Sequence, residues 1–537
     1  MAQAILLARA VFGLSWFRPA SFSHPLRKAG AGGLTIMSSK AVATLALAAG
    51  AFVGVGAATL SLDERVAAGE CAGTAVERES FFDSAIQLTD LPSSSVAQAE
   101  DLSDLNSLGY TRSAVELLID YGANFKVLTD EISKEQYILT QCGTDAPSDD
   151  EVDAVKARPD SSYSRKSFTI PVQSVVATGT TQLAFIQALG LEDRVHKVTG
   201  YAVGACWQKG ANECEAELEA PGSWGGNATL RANQLDAAEL VLVECSSYQP
   251  VECSSVNALN NGVHFASTTS SAGNLHAAEY IKWLAAFFNK EEEAKSIFND
   301  AMSLYVDAKS ANGAGQKVAW VSYEAAGYWN AERFTLSLAI YKQELVTAAA
   351  GANIDGDAVH AEVGGIMTKF VDAAGNPSFQ LETSHYNGSK ADTAAALLEA
   401  LSSQGVNVLI DETYQWDTAS YTIDTFLSNF GLASTSLKVL RIDGTLSASN
   451  NLDWYESRVA HPHRAVQGLQ RVMLPDSSLP KYFFRDISAG EVPDVILASA
   501  CTTPLPFCDP TVSPSFIPMI ATVGEASAAG RAAAPLL

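Results

Sequence analysis

Aromatic side chains that suit ligand binding follow three predicted buried strands. The strands end near Glu244, Ser322 and Ile410, and the side chains after them are Tyr248, Tyr323, Tyr328, Trp329, Tyr414 and Trp416. Tyr and Trp offer a flat apolar face with a hydrogen-bonding tip, which suits a large organic or chelate ligand. Packing of loops onto their own domain explains each ring singly, but recurrence after three strands favours binding.

Imidazole and carboxylate groups offer a second chemistry. Four side chains from both halves of the chain could converge on a divalent or ferric ion: His196, His385, Glu324 and Glu412. Oxygen and imidazole ligands suit such metals. A single His or Glu at a strand end is more often a loop residue with local hydrogen bonds, so direct metal-ion binding stands as the alternative.

Catalytic signatures are absent from the sequence. It contains no G-x-S-x-G, H-E-x-x-H, Walker or protein-kinase motif. His461 and His463 flank Pro462 at the entry to a predicted helix, where capping or surface roles are expected. We therefore predict a binding protein without catalytic residues or an intrinsic cofactor. A secreted hydrolase or an adhesion module on the same scaffold is the remaining alternative.

The eight cysteines indicate an oxidising compartment. Six of them form close pairs along the sequence, which predicts the disulfides Cys206–Cys214, Cys245–Cys253 and Cys501–Cys508 and leaves Cys71 with Cys142. Eight cysteines allow 105 connectivities, so this pairing rests on proximity alone. No C-x-x-C or Cys/His cluster at ligand spacing supports a zinc site.

Charge and the amino terminus also indicate export. The net charge of −25 excludes a general affinity for nucleic acid or anionic membranes. No acidic residue precedes Asp63. From Met37 a short basic start, an apolar run and small residues near Ala57 and Ala58 form the layout of a cleaved signal peptide. A transit segment and a retained anchor are the alternatives, and Met37 is a candidate true start.

The elements that must position these side chains alternate between strand and helix from about residue 168. Before that point, residues 125–129 and 137–141 predict a hairpin. Strands at 174–178, 240–244 and 264–268 alternate with helices near 182–189 and 232–238, which predicts a mostly parallel sheet. Thr180 or Thr181 would cap the first helix.

A long helical stretch separates this unit from a second one of the same kind. Apolar residues recur at three- and four-residue spacing from Ile281 to Tyr305, with a break at Asn289 and Lys290. Beyond Gly313 we predict strands at 317–323 and 406–410 and helices at 335–349, 393–402 and 463–474, with Asp392 as a cap. Residues after Val492 are rich in Pro, Ala and Ser and predict a loosely ordered tail.

Four segments resemble one protein family. They are Val175–Val195, ending in "ALGLEDRV"; Leu235–Val243; Glu279–Phe298, with "FFNKEEEA" at its break; and Trp454–Val472. In this order they are similar to class III periplasmic binding proteins, the iron-siderophore and cobalamin group. Residues 125–146 also resemble an extension seen in algal and other eukaryotic relatives. The resemblance implies two α/β lobes, a rigid connecting helix, a ligand in the interlobe cleft and modest closure on binding.

Combining the strand-end pattern with the resemblance gives a full prediction. The fold is α/β, with two Rossmann-like lobes joined by a long helix. The segments are a leader (1–58), an extension (59–167), lobe 1 (168–273), a connecting helix pair (274–311), lobe 2 (312–492) and a tail (493–537).

Ligand-binding side chains are expected in both lobes. From lobe 1 they are Thr180, Thr181, Tyr201, Trp224 and Tyr248, and from lobe 2 they are Glu324, Trp329, His385, Tyr386, Glu412 and Trp416. The expected ligand is an iron-siderophore, cobalamin or a similar chelate, so that iron enters only as cargo. A monomer serving a membrane transporter or receptor is expected, with sequons at Asn227 and Asn387 that fit a glycoprotein.

Overall fold

The computed structural model of this protein describes residues 82, 117–155, 163–243, 258–265, 267, 273–308, 315–328, 330–372, 376–474, 478–505 and 508. The predicted leader and the predicted Cys245–Cys253 pair lie outside these residues. No helix in the described ranges is long and apolar enough to cross a bilayer.

Four strands form an amino-terminal sheet. They are β1 (Leu117–Tyr121), β2 (Phe125–Asp130), β3 (Glu135–Gln141) and β4 (Ser164–Ile170), with helix α1 (Asp149–Val155) between the last two. Strands β2 and β3 pair antiparallel, with Leu128 opposite Tyr137. The predicted hairpin is therefore confirmed. Strand β4 runs parallel to β3.

Lobe 1 is built on a parallel sheet in the order β6-β5-β7-β8. Its strands are β5 (Val175–Ala177), β6 (Val195–Val198), β7 (Leu240–Val243) and β8 (Gly262–His264). Its helices are α2 (Thr180–Ala188), α3 (Ala205–Glu213) and α4 (Ala228–Asp236). The predicted alternation of strand and helix is confirmed here.

Two consecutive helices connect the lobes. Helix α5 (Asn274–Ala285) is buried along its whole length, continues as a 3-10 turn to Phe288, and is followed by α6 (Glu291–Asp307). Leu275 packs in the lobe 2 core, whereas Trp283 and Phe287 pack in the lobe 1 core. Because one helix belongs to both cores, the lobes share a rigid element.

Lobe 2 is built on a mixed eight-stranded sheet. Seven strands follow the order β12-β13-β10-β9-β14-β15-β17, and β11 pairs with β9. The strands are β9 (Lys317–Glu324), β10 (Arg333–Ser337), β11 (Ala352–Asn353), β12 (Thr368–Val371), β13 (Pro377–Glu382), β14 (Val408–Asp411), β15 (Lys438–Arg441), and β17 (Arg485–Asp486). A separate parallel pair consists of β16 (Thr445–Ser447) and β18 (Asp494–Ile496).

Five helices cover this sheet. They are α7 (Ile340–Ala348), α8 (Gly356–Glu362), α9 (Lys390–Ser403), α10 (Ile423–Asn429) and α11 (Pro462–Met473). Apolar clusters lie on both faces of the sheet, since Val318 packs with Trp454 and Leu469, and Ala319 packs with Leu397. The α/β prediction is thus confirmed for both units.

Two local predictions in lobe 2 are wrong. The helix predicted at 335–349 begins only at Ile340, because Thr335–Ser337 belong to β10 and pair with both β9 and β13. Cross-strand pairing overrode the local helical spacing. Asp392 does not cap α9; Ser389 Oγ accepts a hydrogen bond from the Asp392 backbone N–H at 3.2 Å.

The amino-terminal sheet shares its core with lobe 1. Tyr137 contacts Trp283 edge to face, with ring centroids 5.5 Å apart. Its hydroxyl accepts a hydrogen bond from the His264 backbone N–H at 3.0 Å, and His264 Nδ1 lies 2.5 Å from Asp130 Oδ2. These contacts cover the outer strand β8, whose free edge would otherwise expose unpaired backbone groups.

The disulfide prediction is wrong for two of its pairs. Cys206 bonds to Cys501 and Cys214 bonds to Cys508, instead of each cysteine pairing with its sequence neighbour. Two cysteines that lie close together along the sequence therefore belong to two different disulfides, and each disulfide joins distant parts of the chain. Cys142 is also disulfide-bonded, and its partner lies outside the described residues.

The tail prediction is also wrong as far as the structure describes it. Residues 494–496 form β18 against β16, and residues 501 and 508 are tied to lobe 1. Gln208 Nε2 on α3 donates to the Ile496 carbonyl at 3.0 Å. We call residues 494–505 and 508 the carboxyl-terminal strap, because they connect strand β16 of lobe 2 to α3 of lobe 1.

Candidate functional site

Helix α2 begins at the carboxyl edge of the lobe 1 sheet, directly after β5. Gly179 precedes its first residue, and Gln182 Oε1 accepts from the Gly179 N–H at 2.8 Å. The predicted cap is therefore wrong: Thr180 and Thr181 are the first helical residues. Thr181 is buried, whereas Thr180 Oγ1 donates to the Tyr455 carbonyl at 3.4 Å. Thr180 thus lies at the contact between the lobes.

The second contact from lobe 1 is made where β6 leads into α3. Backbone N–H groups of Val203 and Gly204 donate to the two carboxyl oxygens of Glu456, at 2.6 Å and 2.8 Å. Glu456 is fully buried, and burial together with the nearby Asp453 raises its pKa to about 8, against the effect of the two N–H donors. Tyr201, on the same connection, is exposed.

One turn of lobe 2 carries all of these partners. We call residues 453–458 the bridging turn. Its Arg458 guanidinium lies over the rings of Tyr341 and Trp454, 4.4 Å and 4.9 Å from their centroids, and donates to Asn274 Oδ1 at 3.3 Å. The turn therefore contacts both lobes and the start of α5. In the sequence, this segment stood out only because residues 454–472 resemble a segment of the class III periplasmic binding proteins.

The carboxyl end of β9 carries charged groups at the edge of the lobe 2 sheet. Arg333 lies between Glu324 and Glu382 in the strand register, and its Nη2 is 2.6 Å from Glu324 Oε2. The Tyr323 hydroxyl donates to Glu332 Oε1 at 2.5 Å. Burial and this carboxylate raise the pKa of Tyr323 above its ordinary value.

The neighbouring strand β14 ends in the loop that carries the exposed aromatic rings. Glu412 forms an ion pair with Lys342, which also donates to Ser337 Oγ at 2.8 Å. After it, Tyr414 is 43% exposed and Trp416 is 66% exposed. Tyr328, which follows β9, is 81% exposed. Three of the predicted strand-end rings thus face outward near one sheet edge.

Strand β13 ends at the same edge, because it pairs antiparallel with β10. It is followed by a 3-10 turn from Thr383 to Tyr386. His385 on this turn is exposed, whereas Tyr386 packs partly into the lobe 2 core. The structure therefore brings Glu324, His385 and Trp416 to one edge of lobe 2.

Buried ion pairs beneath this edge hold its loops. Arg441 pairs with Asp411 at 3.1 Å and with Asp443 at 2.8 Å. Arg485 pairs with Asp443 and donates to the Tyr421 carbonyl at 2.9 Å. Burial alone would raise the pKa of Asp443, but the two guanidinium groups lower it. This cluster fixes both ends of the loop that contains Trp416, and no sequence motif indicated it.

The two carboxyl edges approach each other at Tyr455. Its carbonyl accepts from Thr180 of lobe 1. Burial first, and then the charge of Glu412 at the end of β14, raise the pKa of its hydroxyl. The start of α2 in lobe 1 and the end of β14 in lobe 2 therefore both lie next to the bridging turn. Tyr248, Trp329 and the Trp224 side chain lie outside the described part of the chain.

The four side chains proposed for direct metal binding do not form one site. Glu324 pairs with Arg333 and Glu412 with Lys342. His196 lies near the beginning of β6, at the end of the parallel lobe 1 sheet opposite its carboxyl edge. Among the described residues, no group of three or more His, Cys, Asp or Glu side chains is arranged to hold a metal ion.

Comparison with known proteins gives distant structural likenesses. No family model matches the chain, and no curated protein matches it. A periplasmic heme binding protein from Pseudomonas aeruginosa is 14% identical with a TM-score of 0.36, over 59% of this chain and 98% of that chain.

Two further solved structures are alike at a similar level. The petrobactin-binding protein of Bacillus subtilis is 12% identical with a TM-score of 0.37, over 55% of this chain and 90% of that chain. The vitamin B12 binding protein of Vibrio cholerae is 12% identical with a TM-score of 0.35, over 56% and 96%. These identities are too low to transfer the role of any residue.

Proposed function

We propose that this protein is an exported solute-binding protein of the class III periplasmic type. It holds an iron-siderophore, cobalamin or similar metal chelate between the carboxyl edges of its two lobes. The observation that carries this proposal is the exposure of Tyr414, Trp416 and Tyr328 at the lobe 2 edge. Ligands of open α/β sheets bind outside the carboxyl ends of strands.

The charge pattern of the edge favours a chelate over a bare ion. Arg333 and Lys342 are each paired with a carboxylate, at Glu324 and Glu412. Exposed rings beside paired charges suit a ligand whose metal is already surrounded by organic donors. Such a ligand offers flat or apolar surface to the rings and polar groups to the partly exposed Arg333–Glu324 pair.

The elements that join the two lobes support a binding role in which the lobes move little on ligand binding. Helix α5 belongs to both cores, and the bridging turn fixes α2 and α3 of lobe 1 against lobe 2. Disulfides are typical of oxidising compartments, which supports export. We further propose that the protein acts as a monomer and delivers its ligand to a membrane transporter or receptor.

Trp416→Ala tests the proposed site directly. Ferric siderophores and cobalamin are titrated into the purified protein, with binding followed by tryptophan fluorescence and thermal shift. We expect the variant to bind about two- to thirteenfold more weakly, as a lost aromatic contact of about 0.5–1.5 kcal/mol requires. Phe370→Ala removes another exposed ring, on the outer strand β12, and should leave affinity unchanged.

Two outcomes would count against the proposal. If no chelate changes the fluorescence or the melting temperature of the unmodified protein, the ligand class is wrong. If a chelate binds but both variants bind as tightly as the unmodified protein, the site does not lie at the Trp416 edge.

A further inference from the structure

A cavity of about 320 Å³ lies on lobe 1 away from the carboxyl edges. Its lining residues come from β6 and from the ends of α3 and α4: His196, Lys197, Cys214, Asn233, Gln234, Ala237 and Ala238. The volume is at the lower end of the range for small-molecule sites. His196 is the second residue of β6, so the cavity lies where strands of the sheet begin.

A disulfide-bonded cysteine forms part of the wall of this cavity. Cys214 follows α3 and bonds to Cys508 of the carboxyl-terminal strap. Cys214, Cys508 and Cys501 are partly exposed, and Cys206 is 5% exposed, but only Cys214 of these four lines the cavity. Thiol–disulfide exchange requires a thiolate to reach a sulfur atom, so the cavity at Cys214 distinguishes this disulfide from its neighbour.

One cation lies among the residues that line the cavity, whereas the exposed Glu213 and Glu215 flank Cys214 along the chain. Lys197 lines it, with Nζ 2.5 Å from the Glu215 carbonyl. A nearby cation stabilises both the attacking and the leaving thiolate. Burial and the Lys197 charge lower the pKa of His196, which favours its neutral imidazole.

We propose that this cavity admits a small-molecule thiol and that Cys214–Cys508 is an exchangeable disulfide. The incoming thiolate attacks Cys214 Sγ, the bond to Cys508 breaks, and a mixed disulfide forms at Cys214. The bonding electron pair leaves on Cys508, which takes a proton from water. A second thiol then attacks the mixed disulfide on the sulfur of the first, so two thiols are oxidised and both cysteines end as thiols.

The consequence is a partial release of the carboxyl-terminal strap. Residue 508 becomes free of α3, while Cys206–Cys501 still holds the strap at the start of that helix. The exchange does not depend on chelate binding, so it stands or fails separately from the proposed function.

The full oxidised chain treated with reduced glutathione tests this inference. Samples are quenched with acid, alkylated and mapped by mass spectrometry over time. We expect alkylation at Cys214 and Cys508 to appear at least about tenfold faster than at Cys206 and Cys501, because exchange rates follow access to sulfur.

Matched variants within α4 and at its carboxyl cap, Ala237, separate the cavity from general exposure. Ala237→Phe fills the cavity and should slow opening of Cys214–Cys508 by about fivefold or more, since it blocks access. Ala232→Phe adds the same ring on the same helix outside the cavity and should not. If Ala237→Phe misfolds by circular dichroism, Asn233→Trp replaces it. Equal opening rates for both disulfides, or an unchanged rate in the cavity-filling variant, would overturn the inference.

Discussion

Glu456 is a carboxyl group buried at the contact between the lobes, and its surroundings oppose its ionisation. Removal from water and the neighbouring Asp453 both favour the protonated form. The N–H groups of Val203 and Gly204 favour the charged form but do not compensate for burial. Burial also raises the pKa of Asp453 in the same turn, so two carboxyl groups make the bridging turn sensitive to pH.

This environment predicts a falling stability as pH rises. The pKa of Glu456 is about 8 in the folded protein against an ordinary value of 4.5. The folded state therefore keeps a proton that the unfolded state releases within this window. The contribution of the Glu456 proton to the free energy of unfolding is complete below the ordinary pKa of 4.5. It decreases by at most about 1.4 kcal/mol per pH unit as the pH rises to the folded-state pKa of about 8.

Thermal unfolding between about pH 5 and pH 8 measures this effect, the range over which the proton difference persists. Glu456→Gln should flatten the decrease of the melting temperature with pH. Glu399→Gln, at an exposed carboxylate on α9, should keep the decrease of the unmodified protein. Parallel pH profiles for the Glu456 variant and the unmodified protein would contradict the assignment.

The amino-terminal end of helix α9 is determined by one capping side chain. From the sequence we predicted that the carboxylate of Asp392 caps this helix. In the structure Ser389 occupies the cap position, with extended backbone, and its hydroxyl accepts the N–H of Asp392. Asp392 instead lies in the first turn, where its charge interacts only with the helix dipole.

Substitution at the two positions separates these roles. Ser389→Ala should lower the free energy of unfolding by about 1 kcal/mol, the usual cost of a lost cap. Asp392→Ala should lower the free energy of unfolding by only about 0.3 kcal/mol, because it removes an exposed interaction with the helix dipole. Urea unfolding of both variants provides the comparison, and a larger loss for Asp392→Ala would reverse the assignment.

The two disulfides constrain the molecule as a whole because they cross between distant parts of the chain. Their sequence separations are 295 and 294 residues. When one is present, however, the other closes a ring of only about 15 residues, since Cys206 and Cys214 lie close along the chain, as do Cys501 and Cys508. In the chain-entropy account, the cost of losing each bond then depends on the other.

Serine variants of the two pairs should therefore be non-additive. Removing either pair alone should lower the free energy of unfolding by about 3 kcal/mol, the value for a ring of that size. Removing the second pair should cost about 5–6 kcal/mol more, because it opens the loop of nearly 300 residues. Denaturant unfolding without reductant measures both steps, and equal costs would contradict the shared-loop account.

The secondary structure of this protein was largely predictable from its sequence. Apolar and β-branched runs predicted β5, β7, β9 and β14, and apolar recurrence predicted α5 and α6, because each depends on the period of neighbouring side chains. The predicted helix at 335–349 failed where Thr335–Ser337 pair with strands on both sides. Local periodicity contains no information about such pairing.

The site was predictable in part. Strand ends follow from local pattern, so the positions of Tyr414 and Trp416 at a sheet edge were expected, and the structure adds that both are exposed. The role of Glu456 was missed, because its partners are backbone groups about 250 residues earlier in the chain. Backbone donors leave no mark in a sequence.

What the sequence determined by itself is therefore what short-range physics controls: the alternation of strands and helices, the hairpin at β2 and β3, and the apolar helices between two units. Only the tertiary structure decided the rest. It paired Cys206 with Cys501, placed the carboxyl-terminal strap along α3, and brought Thr180 and Glu412 to one turn. These outcomes depend on which surfaces pack together, and packing joins residues that are hundreds of positions apart.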